Sequence, residues 1–211
     1  YIRSFEENET YLILPRGLKE QIIDFFNINA VSFSFIDNRY FKQIETRKVT
    51  FNLRPEQNDA IKEIKKTDLS ICVAPPGFGK KLIGAKIFEI RACSTLIVVN
   101  KNMLLNQWIE RFVDYFGYEK KDIGYLGKGH NKLNGIIDVA TMQMLKNDPD
   151  IINNYSFVIV DECHHIPAIT FEKIIKNFKG KYLLGLSATP NRKDDLQPIL
   201  YQQLGEISYE Y

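Results

Sequence analysis

The sequence predicts an α/β fold: a parallel sheet flanked by helices on both faces, preceded by a small α+β unit. Three observations carry this expectation. From about residue 53 onward, short apolar runs without polar alternation recur along the chain, as strands buried on both faces do. Stretches with helical spacing separate them, which is the pattern of repeated strand–helix units. Residues 1–50 lack that repeat and are rich in aromatics (Phe25, Phe26, Phe33, Phe35, Tyr40, Phe41). The expected organisation is an accessory unit over residues 1–50 and a larger α/β domain over 51–211.

Each element has its own reason. Residues 11–14 read as a strand and Pro15-Arg16-Gly17 as a turn. Leu18, Ile22, Ile23 and Phe26 recur at helical spacing over residues 18–26. Val31, Phe33 and Phe35 alternate with Ser32 and Ser34, as in a half-buried strand. Seven basic and seven acidic residues leave segment 1–50 neutral, so packing is its simplest role, with DNA recognition left open. Beyond it, strands are expected at 70–73, 95–99, 136–140, 157–160 and 182–186. Helices are expected at 81–90, 103–116 and 143–145. Right-handed crossovers bring the C-terminal ends of such strands to one edge, where ligands of these sheets bind.

The bulk composition narrows the class. The chain has 211 residues, 45% hydrophobic and 26% charged, with a net charge of +2; this is ordinary soluble composition. The longest apolar runs, such as 96–99 and 157–160, are too short to cross a bilayer, so no membrane partner is expected. Nothing near Tyr1 reads as a signal peptide, and the absence of an opening Met fits a fragment or a processed chain. Cys72, Cys93 and Cys163 are odd in number and lack metal-ligand spacing, which suits a reducing, intracellular setting. With so little excess base, any surface that neutralises phosphates must be local. Lys120, Lys121, Lys128 and Lys132 cluster around a Gly-rich stretch, and a solvated loop accounts for them equally well.

Three motifs carry chemistry. Ala74-Pro75-Pro76-Gly77-Phe78-Gly79-Lys80-Lys81 follows the first strand of the domain and opens a helix. Gly77 and Gly79 allow the backbone to curl its N–H groups inward onto phosphate. The helix N-terminus adds partial positive charge, and Lys80 reaches the β and γ phosphates. The next residue in such loops is Ser or Thr, whose hydroxyl ligates Mg²⁺, and here it is Lys81. An ammonium cannot ligate a metal. Lys81 either points away and leaves that position to water, or makes the site a poor or degenerate nucleotide binder.

The second motif is Asp161-Glu162-Cys163-His164-His165, at the end of a buried strand and 81 residues beyond Lys80. Adjacent carboxylates there are costly without a cation. Asp161 is placed to hold Mg²⁺, through water, and Glu162 to deprotonate an attacking water. Neighbouring histidines on a turn are expected to point apart, and no third ligand is spaced to join them in a zinc site. His164 is expected to hydrogen-bond toward the third motif, Ser187-Ala188-Thr189-Pro190, where Pro190 prevents continuation of a strand.

Together these residues resemble the first RecA-like domain of superfamily 2 helicases, a P-loop NTPase fold. The finer resemblance is to the branch containing XPB, UvsW and the helicase-like subunit of type III restriction enzymes. It rests on Leu53-Arg54-Pro55-Glu56-Gln57 ahead of the loop, on residues 161–168, and on residues 185–194, and spans about 51–195. The resemblance implies an ATP-driven DNA helicase or translocase using ATP and Mg²⁺. It implies catalytic roles for Lys80, Asp161 and Glu162, and a nucleotide pocket of Arg54, Gln57, Pro76, Gly77, Phe78, Gly79, Lys80 and Lys81. Gln57 would read the adenine edge, with an ordinary helix start after Pro55 as the alternative. Asn100, Lys101, Thr141 and Gln143 fall where relatives contact the nucleic-acid backbone, contacts that position a strand without reading its sequence. Trp108 fits the core better than a base stack. His164, Ser187 and Thr189 would couple ATP state to nucleic-acid grip. The implied partner is DNA, single-stranded or branched duplex, ahead of RNA.

Family members also use a second RecA-like domain, whose arginines stabilise transition-state charge. No Gln-x-x-Gly-Arg-x-x-Arg pattern occurs in these residues. A supplied arginine is worth roughly 10³ to 10⁵ in rate, or ~4 to 7 kcal/mol of barrier. The chain alone is therefore expected to bind ATP weakly and turn it over slowly. A weakened nucleotide- and nucleic-acid-binding module is the alternative, favoured by Lys81 and opposed by the intact Asp161-Glu162. An unrelated phosphate-loop enzyme such as a kinase has no use for the Ser-Ala-Thr motif.

Overall fold

The computed structural model describes residues 6–7, 12–34, 36–166, 168–176, 178–189 and 197–211. Tyr11, Phe35, Pro167 and residues 190–196 lie outside these, and with them parts of the expected strands at 11–14 and 31–35 and the ends of two motifs. The elements run β1 (Glu6–Glu7), β2 (Leu12–Ile13), α1 (Lys19–Ile28), α2 (Pro55–Ile64), β3 (Leu69–Val73), α3 (Lys80–Arg91), β4 (Thr95–Val99) and α4 (Asn102–Phe116). They continue as β5 (Gly124–Gly127), β6 (His130–Lys132), β7 (Ile137–Thr141), α5 (Met142–Asn147), β8 (Phe157–Asp161), α6 (Ala168–Ile175), β9 (Tyr182–Ser187), α7 (Gln197–Leu204) and β10 (Ile207–Glu210).

Among the described residues, eight strands form one sheet in the order β10-β3-β9-β8-β4-β7-β5-β6. Every neighbouring pair is parallel except β5 with β6. Alternate side chains of each central strand enter different layers. Ile97, Val99 and Ile159 pack with Ile83, Phe88, Trp108 and Phe112 of α3 and α4. Leu96, Val98, Val158 and Val160 pack with Leu145, Phe171, Ile174 and Leu200 of α5, α6 and α7. A sheet buried on both faces is why these strands read as continuous apolar runs.

The sheet holds three strands the sequence did not predict. β5 contains two glycines, β6 is wholly exposed, and β10 alternates apolar and polar residues. β6 and β10 are the two margin strands, where little is buried and no apolar run is required, and β5 is interrupted by Gly124 and Gly127. Lys128 and Gly129, with φ of 54° and 76°, turn the chain between β5 and β6. Two residues with positive φ match the right-handed twist of the paired strands.

The segment ahead of α2 departs further from expectation. Residues 31–34 form no strand; Val31 and Phe33 are 46% and 40% exposed. Alternation alone is not enough when no neighbouring strand accepts the backbone bonds, and Phe33 instead meets Phe26 of α1, ring centroids 5.2 Å apart. α1 has no buried residue. Ahead of it, Arg16 donates to the carbonyls of Phe178 and Gly180 and lies over the Phe178 ring at 4.9 Å. The chain then runs along the N-terminal ends of the strands. Tyr40 bridges to Gly180, the Lys42 amide donates to Ser156 Oγ at 2.6 Å, and the Ile44 amide donates to the Ala92 carbonyl at 2.9 Å. This strap leaves the opposite edge, where the motif loops emerge, uncovered by it. Among the described residues no helix is long and apolar enough to cross a membrane.

Candidate functional site

The loop after β3 is shaped by two glycines in the left-handed region, Gly77 at φ 81° and Gly79 at φ 94°. A Cβ at Gly77 would meet nothing within 4 Å, whereas one at Gly79 would lie 2.4 Å from Gln57 Nε2. Gly79 is thus required by both backbone and close approach. The start of α2 clamps the loop from behind. Gln57 Nε2 donates to the Phe78 carbonyl at 2.7 Å, Arg54 Nη2 donates to the same oxygen at 2.5 Å, and Gln57 Oε1 accepts the Arg54 amide at 2.9 Å. Phe78 is buried against Tyr209 and Tyr211 of the β10 end. Pro76 and Gly77 remain exposed.

The loop and the acidic motif converge. Lys80, 7% exposed, donates to the carbonyls of Ala74 (2.7 Å) and Pro75 (3.4 Å). Its Nζ lies 3.9 Å from Glu162 Oε1. β9 separates the two motif strands, with Ser187 level with Val73 and Leu186 level with Asp161. The third motif therefore stands between the other two. Ser187 Oγ and His164 Nδ1 are 2.9 Å apart, the direction expected of His164. The Thr189 amide donates to Ser187 Oγ at 3.3 Å. Glu162 adopts φ 49°, and its Oε2 is buried and accepts no hydrogen bond among the described residues. His164 Nδ1 is 3.5 Å from that oxygen.

Asp161 is 1% exposed, and burial pushes its carboxyl above the usual range. The Trp108 hydrogen bond and the charges of Lys81 and Lys80 oppose that shift, and Glu162 adds to it. Trp108 Nε1 donates to Asp161 Oδ2 at 2.8 Å. Trp108 is fully buried, as the sequence suggested, but its polar end has a partner in the site that the sequence did not reveal. The available signal was general: a buried indole N–H needs an acceptor.

Lys81 does not point away from the site. Its Nζ donates to Gln107 Oε1 at 2.6 Å and lies 3.8 Å from Asp161 Oδ2. The carboxylate draws the ammonium inward, and Gln107 on α4 fixes it there. The two histidines also depart from expectation. Rather than pointing apart, their rings meet at 4.0 Å between centroids, because the tight 3-10 turn Cys163–His165 brings them to one side. Among the described residues no group of three or more His, Cys, Asp and Glu could hold a metal.

The residues expected to face nucleic acid share the same sheet edge, beside the nucleotide motifs. Asn100 follows β4 and Thr141 ends β7, and Val99 and Thr141 are register partners. Asn100 Oδ1 is buried and accepts no hydrogen bond among the described residues. Lys101 and Gln143 are exposed and Thr141 is buried. Of the lysine cluster, Lys128 bonds Asn106 Oδ1 at 3.0 Å. It lines a groove of about 360 Å³ with Lys120, Tyr125 and Glu110. Lys121 pairs with Glu119 at 2.7 Å, so these lysines do not form one uncompensated patch.

The family described as type III restriction enzyme, res subunit, matches residues 50–192. The chain is 34% identical over 199 residues to the DNA 3'-5' translocase XPB2 of Sulfurisphaera tokodaii, covering 86% of the chain and 44% of that protein. It is 28% identical over 176 residues to a probable helicase of Escherichia phage T5, covering 83% and 38%. The chain thus spans less than half the length of these curated relatives. Among solved structures it resembles the UvsW helicase of bacteriophage T4 (TM-score 0.71, 21% identity, 96% of this chain and 80% of that one). It also resembles the Sulfolobus solfataricus SWI2/SNF2 ATPase core in complex with dsDNA (TM-score 0.62, 23% identity, 77% and 38%). At these identities the structures speak to the RecA-like fold.

Proposed function

The chain belongs to the family described as type III restriction enzyme, res subunit, and from that membership we propose that it is the ATP-binding half of a DNA-dependent ATPase, a helicase or translocase that couples hydrolysis to DNA unwinding or remodelling. One observation supports this above the others. Lys80 and Glu162, from loops 82 residues apart in sequence, meet at 3.9 Å across the end of β9.

In this reading the loop amides around Gly77 and Gly79, with the α3 N-terminus, receive the phosphates. Lys80 exchanges the carbonyls of Ala74 and Pro75 for phosphate oxygens. Gln57 and Arg54 turn from the Phe78 carbonyl toward the base. Glu162 Oε2 orients the attacking water and accepts its proton. The negative charge lost from Glu162 is felt by His164, 3.5 Å away, and through it by Ser187. Ser187 ends β9, so the state of the nucleotide reaches the sheet edge that carries Asn100, Lys101, Thr141 and Gln143. DNA is the partner at that edge.

The resemblance also implies Mg²⁺ beside Asp161, and the residues present do not fit it. Asp161 Oδ2 is engaged by Trp108, and an ammonium stands 3.8 Å from it where the metal-ligating hydroxyl belongs. This favours a second reading, a weakened module that uses nucleotide as a switch. In either case the arginines of a second RecA-like domain are needed for fast turnover, and residues 1–211 alone unwind nothing; robust unwinding by them refutes this.

The test is titration with a ribose-labelled fluorescent ATP analogue. Lys80→Ala is expected to weaken binding by about tenfold or more, and an unchanged affinity rejects the site. DNA-stimulated ATPase of a longer chain carrying the second domain separates the motor from the switch.

A further inference from the structure

We propose that the Lys81 ammonium takes the place of the divalent cation, so that this chain binds nucleoside triphosphate in its metal-free form. The inference rests on the nucleotide-site reading above and concerns what accompanies the nucleotide there. Two independent contacts hold Lys81 in position. Gln107 Oε1 accepts its hydrogen bond at 2.6 Å, and Asp161 Oδ2 faces it at 3.8 Å. Lys81 is the second residue of α3, directly after Lys80, so its ammonium stands at the mouth of the phosphate loop and not on a free surface.

The electrostatics decide between ammonium and metal. Asp161 is 1% exposed, so solvent screens little at this point. A divalent ion brought to Asp161 would be repelled by the neighbouring ammonium, and repulsion grows as distance and local dielectric fall. The carboxylate that would hold the ion is already neutralised by Lys81 and hydrogen-bonded by Trp108. An ammonium has three donors; Gln107 takes one and the others can reach phosphate oxygens. Lys80, the α3 N-terminus and the loop amides then carry the neutralisation of the triphosphate, and Lys81 bridges its phosphate oxygens to Asp161.

The experiment measures affinity for the fluorescent ATP analogue with residues 1–211, in excess EDTA and in excess Mg²⁺. Three chains are compared: the natural one, Lys81→Thr, and Lys81→Met as a variant that removes charge without adding a metal ligand. Thermal melting checks that each is folded. The natural chain is expected to bind more tightly in EDTA than in Mg²⁺, by about threefold or more, because excess Mg²⁺ complexes the free nucleotide that Lys81 selects. Lys81→Thr should bind about tenfold or more tightly with Mg²⁺ than with EDTA, and Lys81→Met should lose affinity in EDTA. The comparison in the natural chain stands even where a variant fails to fold. Binding that is equal in the two conditions or tighter with Mg²⁺ overturns the proposal while leaving the nucleotide site intact. A Lys81→Thr chain that binds without regard to Mg²⁺ also overturns it. If no chain binds in either condition, the nucleotide reading fails and this proposal fails with it.

Discussion

Trp108 on α4 donates its indole hydrogen bond to Asp161 at the end of β8, and both groups are closed to water, at 0% and 1% exposure. The helix that follows Asn100 and Lys101 is therefore pinned to the carboxylate of the nucleotide motif. Because the chain has one Trp, its fluorescence reports this junction alone. Emission should be blue-shifted in the free protein and should change in intensity when nucleotide binds. A spectrum indifferent to saturating nucleotide would mean that the ligand does not reach Asp161.

Trp108→Phe tests the same bond through stability. Phe keeps an aromatic ring but removes the indole N–H and part of the volume of a fully buried side chain, so Asp161 Oδ2 loses its donor while remaining buried. An orphaned buried acceptor costs about 1 to 3 kcal/mol, more when charged. Urea denaturation should show a loss of at least that size, since the smaller ring also leaves a cavity, with the slope unchanged. A loss below about 0.5 kcal/mol would show that water replaces the indole.

Legibility in the sequence followed burial. Strands β4 and β8 were readable because both faces are covered and residues 96–99 and 157–160 are apolar without a break. β10 and the β5–β6 hairpin were not, since margin strands need no apolar run and β5 contains Gly124 and Gly127. The alternation at 31–34 misled because a strand also needs a partner, and those residues have none. In the site, the loop and the acidic pair could be read from residue type and spacing. The direction of Lys81, the ring contact of His164 with His165, and the Trp108–Asp161 bond could not. Each depends on where α4 or a tight turn lies in space, not on its neighbours in sequence.

Ser187→Ala should separate binding from coupling. Ser187 touches His164 and the Thr189 amide, not the phosphate loop's glycines. Nucleotide affinity should therefore hold within about threefold. In a longer chain with both RecA-like domains, stimulation of hydrolysis by DNA should fall by about 5- to 30-fold, a coupling loss of ~1 to 2 kcal/mol. Full stimulation in the variant would remove Ser187 from the path.

The thiols should be silent in the folded chain. Cys72, Cys93 and Cys163 are buried, and burial pushes the Cys72 and Cys93 thiols up to about 12. Reactivity requires thiolate, so iodoacetamide at pH 8 should label the native protein negligibly and all three cysteines in guanidinium. Rapid labelling of Cys72 in the native state would contradict the packing of β3.

Asp138 anchors the far side of the sheet, and its removal should be the most damaging of these changes. It lies in β7 at 0% exposure. Its carboxylate accepts the amides of Asn134 (3.0 Å) and Gly135 (2.7 Å) and the Tyr155 hydroxyl (2.5 Å). Burial and the carboxylate push the Tyr155 phenol far above its ordinary range, so it stays a donor. Gly124 completes the arrangement, since a Cβ there would lie 1.8 Å from Asp138 Oδ1. Asp138→Ala leaves three donors without an acceptor and should cost ~3 kcal/mol or more, at about 1 to 3 kcal/mol for each donor left buried and unpaired. Tyr155→Phe removes one donor and should cost about 1 to 2 kcal/mol. Because both act on one carboxylate, the double variant should cost less than the sum of the two. Additive losses by urea denaturation would show that Tyr155 and Asp138 stabilise the chain independently, against the contact described here.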